Sequence, residues 1–165
     1  MLHFNACSTT TIWKMDEWFV AIWMNDEETV KSMANYNTCR VDELGQTALM
    51  HAAKRGYKNL IPFLTKELNI KDNDGKTALM HAICSTQAEC VPELLAECGQ
   101  QDNDGWSATM HAVSQNDLQA FDYLADKEWD LTNNKGQTIL IQAAQLGSDF
   151  FVDEIAKRFP QLLGK

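Results

Sequence analysis

The sequence predicts an all-α solenoid of about five helix-turn-helix repeats joined by short β-hairpin-like turns, and three observations carry that expectation. A string of the form TALMHA occurs twice unaltered and twice in worn form, at spacings of 30, 30 and 31 residues. Self-similarity at a fixed period of about 20 to 50 residues marks a repeat architecture. Each copy opens with Asp or Asn and reaches a Gly three residues later, a turn signature. Apolar ladders then run through the copies in the same register.

The first repeat, residues 12–41, lacks the turn motif. It emerges only from the ladders, where Trp18, Ala21, Val30 and Met33 match Leu49, Ala52, Ile61 and Leu64 at an offset of 31. The next four, 42–71, 72–101, 102–132 and 133–160, begin at Asp42, Asp72, Asp102 and Asn133. Their turn glycines, Gly45, Gly75, Gly105 and Gly136, supply a positive φ without a Cβ clash. A short alanine-rich inner helix follows. Ala21, Ala52, Ala82, Ala112 and Ala143 keep one side chain small at each inner helix, so that helices stack about 8 to 10 Å apart. The outer helix carries Val30, Ile61, Val91, Phe121 and Val152, with Met33, Leu64, Leu94, Leu124 and Ile155 three residues on, hence on one face. Pro62 and Pro92 are expected in the first turn of that helix, where a missing N–H costs nothing. Asn69, Gly99 and Asp130 share one place after it and suit a left-handed exit. Residues 1–11 are left as an N-terminal arm and 161–165 as a tail.

Composition narrows the function. The chain has 165 residues and a formal net charge of −9. It lacks the Lys and Arg clusters that phosphate binding relies on, which argues against nucleic acid. The apolar stretch from Trp13 to Met24 is broken by Lys14, Asp16 and Glu17, so neither a signal peptide nor a membrane span is expected. The cysteines number five, an odd count, and Cys90 and Cys98, in register with Leu60 and Leu68, read as core thiols; a reducing, cytoplasmic compartment is expected.

The four copies, DELGQTALMHA, DNDGKTALMHA, DNDGWSATMHA and NNKGQTILIQA, resemble the ankyrin repeat, whose pattern is D-x-x-G-x-T-P-L-H followed by two alanines, a Gly turn and an outer helix. The resemblance extends from about residue 12 to 160. Ala48 and Ala78 stand where the family has Pro, and Met50, Met80 and Met110 where it has a hydrogen-bonding His. The family's His-mediated bracing is therefore not carried over. The resemblance implies a concave partner-facing surface, formed by residues flanking the turn glycine and residues just after the alanine pair. These are Trp23 and Met24 in the first repeat; Glu43, Leu44, Gln46, Lys54 and Arg55 in the second; and Asn73, Asp74, Lys76, Cys84 and Ser85 in the third. The fourth supplies Asn103, Asp104, Trp106, Ser114 and Gln115, and the fifth Asn134, Lys135, Gln137, Gln145 and Leu146.

Trp106 is the sharpest of these, because its equivalents Gln46, Lys76 and Gln137 are polar and the fold does not require an apolar side chain there. Trp23 is similar beside Lys54, Cys84, Ser114 and Gln145. Exposed tryptophan is enriched at interface hot spots. Asp42, Asp72 and Asp102 are assigned to turn closure instead. The expected role is a non-enzymatic interaction module, an adaptor, blocker or inhibitor, binding one protein with a basic patch and needing no cofactor or metal. The resemblance also brings in host-directed bacterial effectors, delivered into a host cell, and toxin-neutralising proteins. The competing reading is a small metal-binding or hydrolytic protein using His51, His81 and His111 with Cys84. A ladder spaced about 8 to 10 Å is too open for tetrahedral zinc, and Cys84, three residues after His81, lacks a visible orienting group. Asp149, Asp153, Glu154, Lys157 and Arg158 read as a polar cap on the final helix, giving a monomer when free.

Overall fold

The computed structural model describes residues 16–164; the 1–11 arm lies outside them. The chain forms helices throughout, in inner and outer layers. α1 (Glu17–Trp23) pairs with α2 (Glu27–Met33). α3 (Ala48–Arg55) pairs with 3-10 segments at Lys58–Phe63 and Thr65–Glu67, and α4 (Ala78–Cys84) with a 3-10 segment at Ala88–Glu97. α5 (Ala108–Ser114) pairs with α6 (Leu118–Glu128), and α7 (Ile139–Gln145) with α8 (Asp149–Arg158), before a last 3-10 turn at Pro160–Leu162. The inner helices α1, α3, α4, α5 and α7 stack in that order.

Local chemistry explains where each inner helix begins and ends. Thr47, Ser107 and Thr138 each accept a hydrogen bond from the backbone three residues ahead, satisfying a donor that has no partner in the first turn. The helices stop at a left-handed residue in every repeat: Asn25, Gly56, Thr86, Asn116 and Gly147. Thr86, at φ 56, is the misfit, because a β-branched residue is strained there. Thr86→Gly, which restores the residue type of Gly56 and Gly147, is expected to raise unfolding stability by about 1 kcal/mol. Urea denaturation checks this, and an unchanged or lower midpoint would show the turn to be unstrained.

The prolines behave differently from expectation. Pro62 and Pro92 lie well inside the outer segments, and both segments are 3-10 rather than α. Proline has no N–H and its ring clashes with the carbonyl four residues back, so the α pattern fails there, and a chain bonded three residues apart remains. The equivalent residues in the last two repeats are Asp122 and Asp153, and there the outer segments are true α-helices. The exit after the outer segment is left-handed at Asn69 and Gly99, as read from the sequence, and at Cys39, but not at Asp130.

The core is the pair of ladders. Val30, Ile61, Val91 and Phe121 are buried, as are Leu64, Leu94, Leu124 and Ile155, and Cys90 lies among them. Burial pushes the half-buried Cys98 thiol up to about 11. The last repeat is less polar on its open end than its charged residues imply. Ile141 is 40% exposed where its equivalents Met50, Met80 and Met110 are at most 1% exposed, and Leu146 and Phe150 are exposed as well. Among the described residues no helix is long and apolar enough to cross a membrane.

Candidate partner-binding site

Three polar ladders fix the frame on which the concave face is carried. In the first, His51, His81 and His111 bind through Nε2 to the carboxylates of Asp42, Asp72 and Asp102, at 2.9, 2.7 and 2.8 Å. The other oxygen of each Asp accepts the two turn amides, for example from Asp74 and Lys76 at Asp72. Each His thus braces its inner helix against its own hairpin. Bracing by histidine is present after all, one residue later than in the resembled pattern, while Met50, Met80 and Met110 fill the core. At His51 the tautomer is settled by its neighbours. The indole N–H of Trp23 donates to Nδ1 at 3.4 Å, so Nε2 carries the proton given to Asp42.

The second ladder has no counterpart in the sequence reading. Glu67, Glu97 and Glu128 are buried at the end of the outer segments. One oxygen of each accepts from the second residue of the inner helix, Leu49, Leu79 or Thr109, at 2.7 to 2.8 Å. The other accepts from the left-handed exit residue of the preceding repeat, Cys39, Asn69 or Gly99. Each carboxylate therefore joins two repeats and sits where a helix N-terminus favours negative charge.

The third ladder changes the standing of three residues read as partner contacts. Asn73 donates its side-chain amide to the Glu43 carbonyl, Asn103 to that of Asn73, and Asn134 to that of Asn103. Backbone bonds from the same residues to Leu44, Asp74 and Asp104 run alongside. These asparagines staple the hairpins together. Their recurrence in one register was the available signal.

The remaining candidates divide by exposure. Gln46 is buried. Trp23, Lys76, Cys84, Ser85, Trp106, Ser114 and Gln137 are half-buried, whereas Met24, Glu43, Leu44, Lys54, Arg55, Asp74, Asp104, Gln115, Lys135, Gln145 and Leu146 are exposed. Trp23 and Met24 lie at the opposite end of the stack from Lys135, and Arg55 covers the Trp23 ring at 5.6 Å. Gln137 bonds Gln145 within the last repeat. At the junction of the last two hairpins the structure does gather candidates. Asp104, Trp106, Asn134 and Lys135, with Asn133, line a cleft of about 240 Å³. The Trp106 ring rests on His111, with centroids 5.2 Å apart.

Cys84 faces His111 of the next repeat rather than His81, with Sγ 3.5 Å from Nδ1. Since Asp102 holds the other ring nitrogen, an orienting group exists that the sequence did not reveal. The chemistry still favours a neutral thiol. Burial, the largest influence, pushes Cys84 up, and the residue ends α4, where the helix dipole disfavours an anion. It fills the slot that Trp23 fills against His51, donating to a histidine nitrogen. Among the described residues no group of three or more His, Cys, Asp or Glu could hold a metal ion.

The histidines give the stack a pH dependence. Burial lowers all three pKa values, with the Asp partners acting in the opposite direction. A depressed imidazole contributes stability that is present above the unfolded value of about 6.5 and lost as pH falls through the lower folded value. Burial raises Glu67 and Glu97, and these act with the opposite sign, gaining stability as pH falls toward their unfolded value. The melting temperature is expected to fall between about pH 7 and pH 5.5, and less steeply in His81→Gln, which installs the residue that Gln142 places in the same register. A slope that His81→Gln leaves unchanged would remove the histidines as its source.

Comparison with known families matches the chain to a model described as ankyrin repeats, in three copies, over residues 18–103 and 85–159. No curated protein matches the chain.

Proposed function

Given that the chain belongs to the ankyrin repeats family, whose members are generally protein–protein interaction modules and typically non-enzymatic, we propose that it binds one protein partner across its concave face and hairpin tips, acting as an adaptor, blocker or inhibitor. Trp106 supports the reading most directly: it is tryptophan where the second, third and fifth repeats carry Gln46, Lys76 and Gln137, and it borders the cleft. The three ladders make the surface rigid before binding, which reduces the ordering cost of association. The tip acids Glu43, Asp74 and Asp104, without an ion pair among the described residues, and a net charge of −9 favour a partner with a basic patch.

Affinity capture from the native source, comparing the wild type with a folded Trp106→Gln, Asp104→Lys double variant, tests this. A protein retained by the first and lost by the second supports binding at the tips. Identical captures, or none, would overturn it and turn attention to the convex side.

A further inference from the structure

The geometry points to the cleft beside Trp106 as a receptor for a single arginine side chain of the protein partner, stacked on the indole and paired with Asp104. The inference rests on the binding reading above and specifies its chemistry.

The chain itself shows a tryptophan of this kind carrying a guanidinium, in a different register, since the slot of Trp23 against His51 is that of Cys84 against His111. Trp23 packs edge-on against the ladder histidine His51, with centroids 5.9 Å apart, and a guanidinium, that of Arg55, lies over its ring. Trp106 is lodged against the ladder histidine His111 in the fourth repeat. Asp102 holds that histidine, and the imidazole stays neutral because burial lowers its pKa. Here the cation is missing. The residue in the register of Arg55 is Gln115, and among the described residues no Lys or Arg lies over Trp106. The open space beside Trp106 is on its hairpin side, between Asp104 and Asn133, Asn134 and Lys135.

Two further features select the occupant. The Asp104 carboxylate forms no hydrogen bond or ion pair among the described residues, because only its backbone groups serve the hairpin. Lys135 also lines the cleft, so an incoming guanidinium is drawn to the Asp104 side and held off the Lys135 side. A flat guanidinium can lie on the ring and present its edge to a carboxylate at once, which a compact ammonium does less well.

The test is a titration of the isotopically labelled chain with acetyl-Gly-Arg-Gly-amide, followed by NMR at the Trp106 indole N–H and the Asp104 amide. The lysine analogue and the neutral, near-isosteric citrulline analogue serve as comparisons. The expected result is a saturable shift at both signals, about ten-fold weaker with citrulline and weaker with lysine, lost at both signals in Asp104→Asn and at the Asp104 amide in Trp106→Gln, which has no indole. Equal binding of the citrulline or lysine peptide, shifts that persist in both variants, or no saturable shift would each overturn the arginine assignment. A partner captured by the wild type and lost by the double variant would leave the concave binding reading standing even then, so the two can fail separately.

Discussion

Glu97→Ala is expected to cost about 2 to 5 kcal/mol of unfolding stability, among the largest single losses available in this chain. The carboxylate accepts from Leu79 N at 2.7 Å and from Asn69 N at 2.9 Å, and it is 1% exposed. Alanine leaves both amides without an acceptor in a place water does not reach, and it removes the negative charge from the start of α4. Glu97→Gln is the informative companion. It keeps one acceptor oxygen but turns an amide donor toward the other N–H, so a loss between those of wild type and Ala is expected. Urea denaturation followed by circular dichroism measures both. A loss below about 1 kcal/mol for Ala would mean that the carboxylate's own desolvation cost, seen in its raised pKa, had cancelled what its hydrogen bonds contribute.

Gly105→Ala should lose about 3 kcal/mol while Gly136→Ala loses about 1 kcal/mol, although the two glycines share a register and a backbone conformation. Their φ values are 77° and 72°. A Cβ at Gly105 would stand 2.5 Å from Asn134 Oδ1 and 2.6 Å from Asn134 N. That nitrogen cannot withdraw without breaking its 3.1 Å bond to the Asp104 carbonyl. A Cβ at Gly136 meets nothing within 4 Å, so only the left-handed strain remains. Equal losses in thermal or urea unfolding would show that φ alone matters and that the hairpins do not crowd each other.

What could be read in advance followed from periodicity. The repeating Ala, the two apolar ladders and the turn glycines each answer to one backbone need, so aligning the copies revealed them, including a first repeat without a turn motif. Pro62 and Pro92 were misplaced because position in the register does not say where a helix starts. Glu67, Glu97 and Glu128 were invisible for another reason. An acidic residue on an outer helix looks solvated, and only its recurrence in step with the core residues marks it as buried. At the candidate site, Trp106 stood out as the odd member of a polar set. The linkage of Cys84 to His111 was hidden because the partners lie in different repeats and come together only on stacking. The same applies to Asn73, Asn103 and Asn134, which look like free hairpin tips until the neighbouring hairpin is in place.

The carboxylate clasps close three of the four junctions between repeats and stop there. In the register of Glu67, Glu97 and Glu128 the last repeat has Phe159, which stacks on Trp129 instead, while Asn133 and Gln142 replace the Asp–His pair. The tethers left at that junction include Arg158 to Asp122 and Asp126, which are partly exposed pairs of modest worth. In hydrogen exchange, the amides of α7 and α8 should therefore open at lower free energy than those of α3 to α5, with the final repeat behaving as its own small foldon. The Trp106 cleft spans that seam, so a ligand seated there would slow exchange in a helix pair it does not touch.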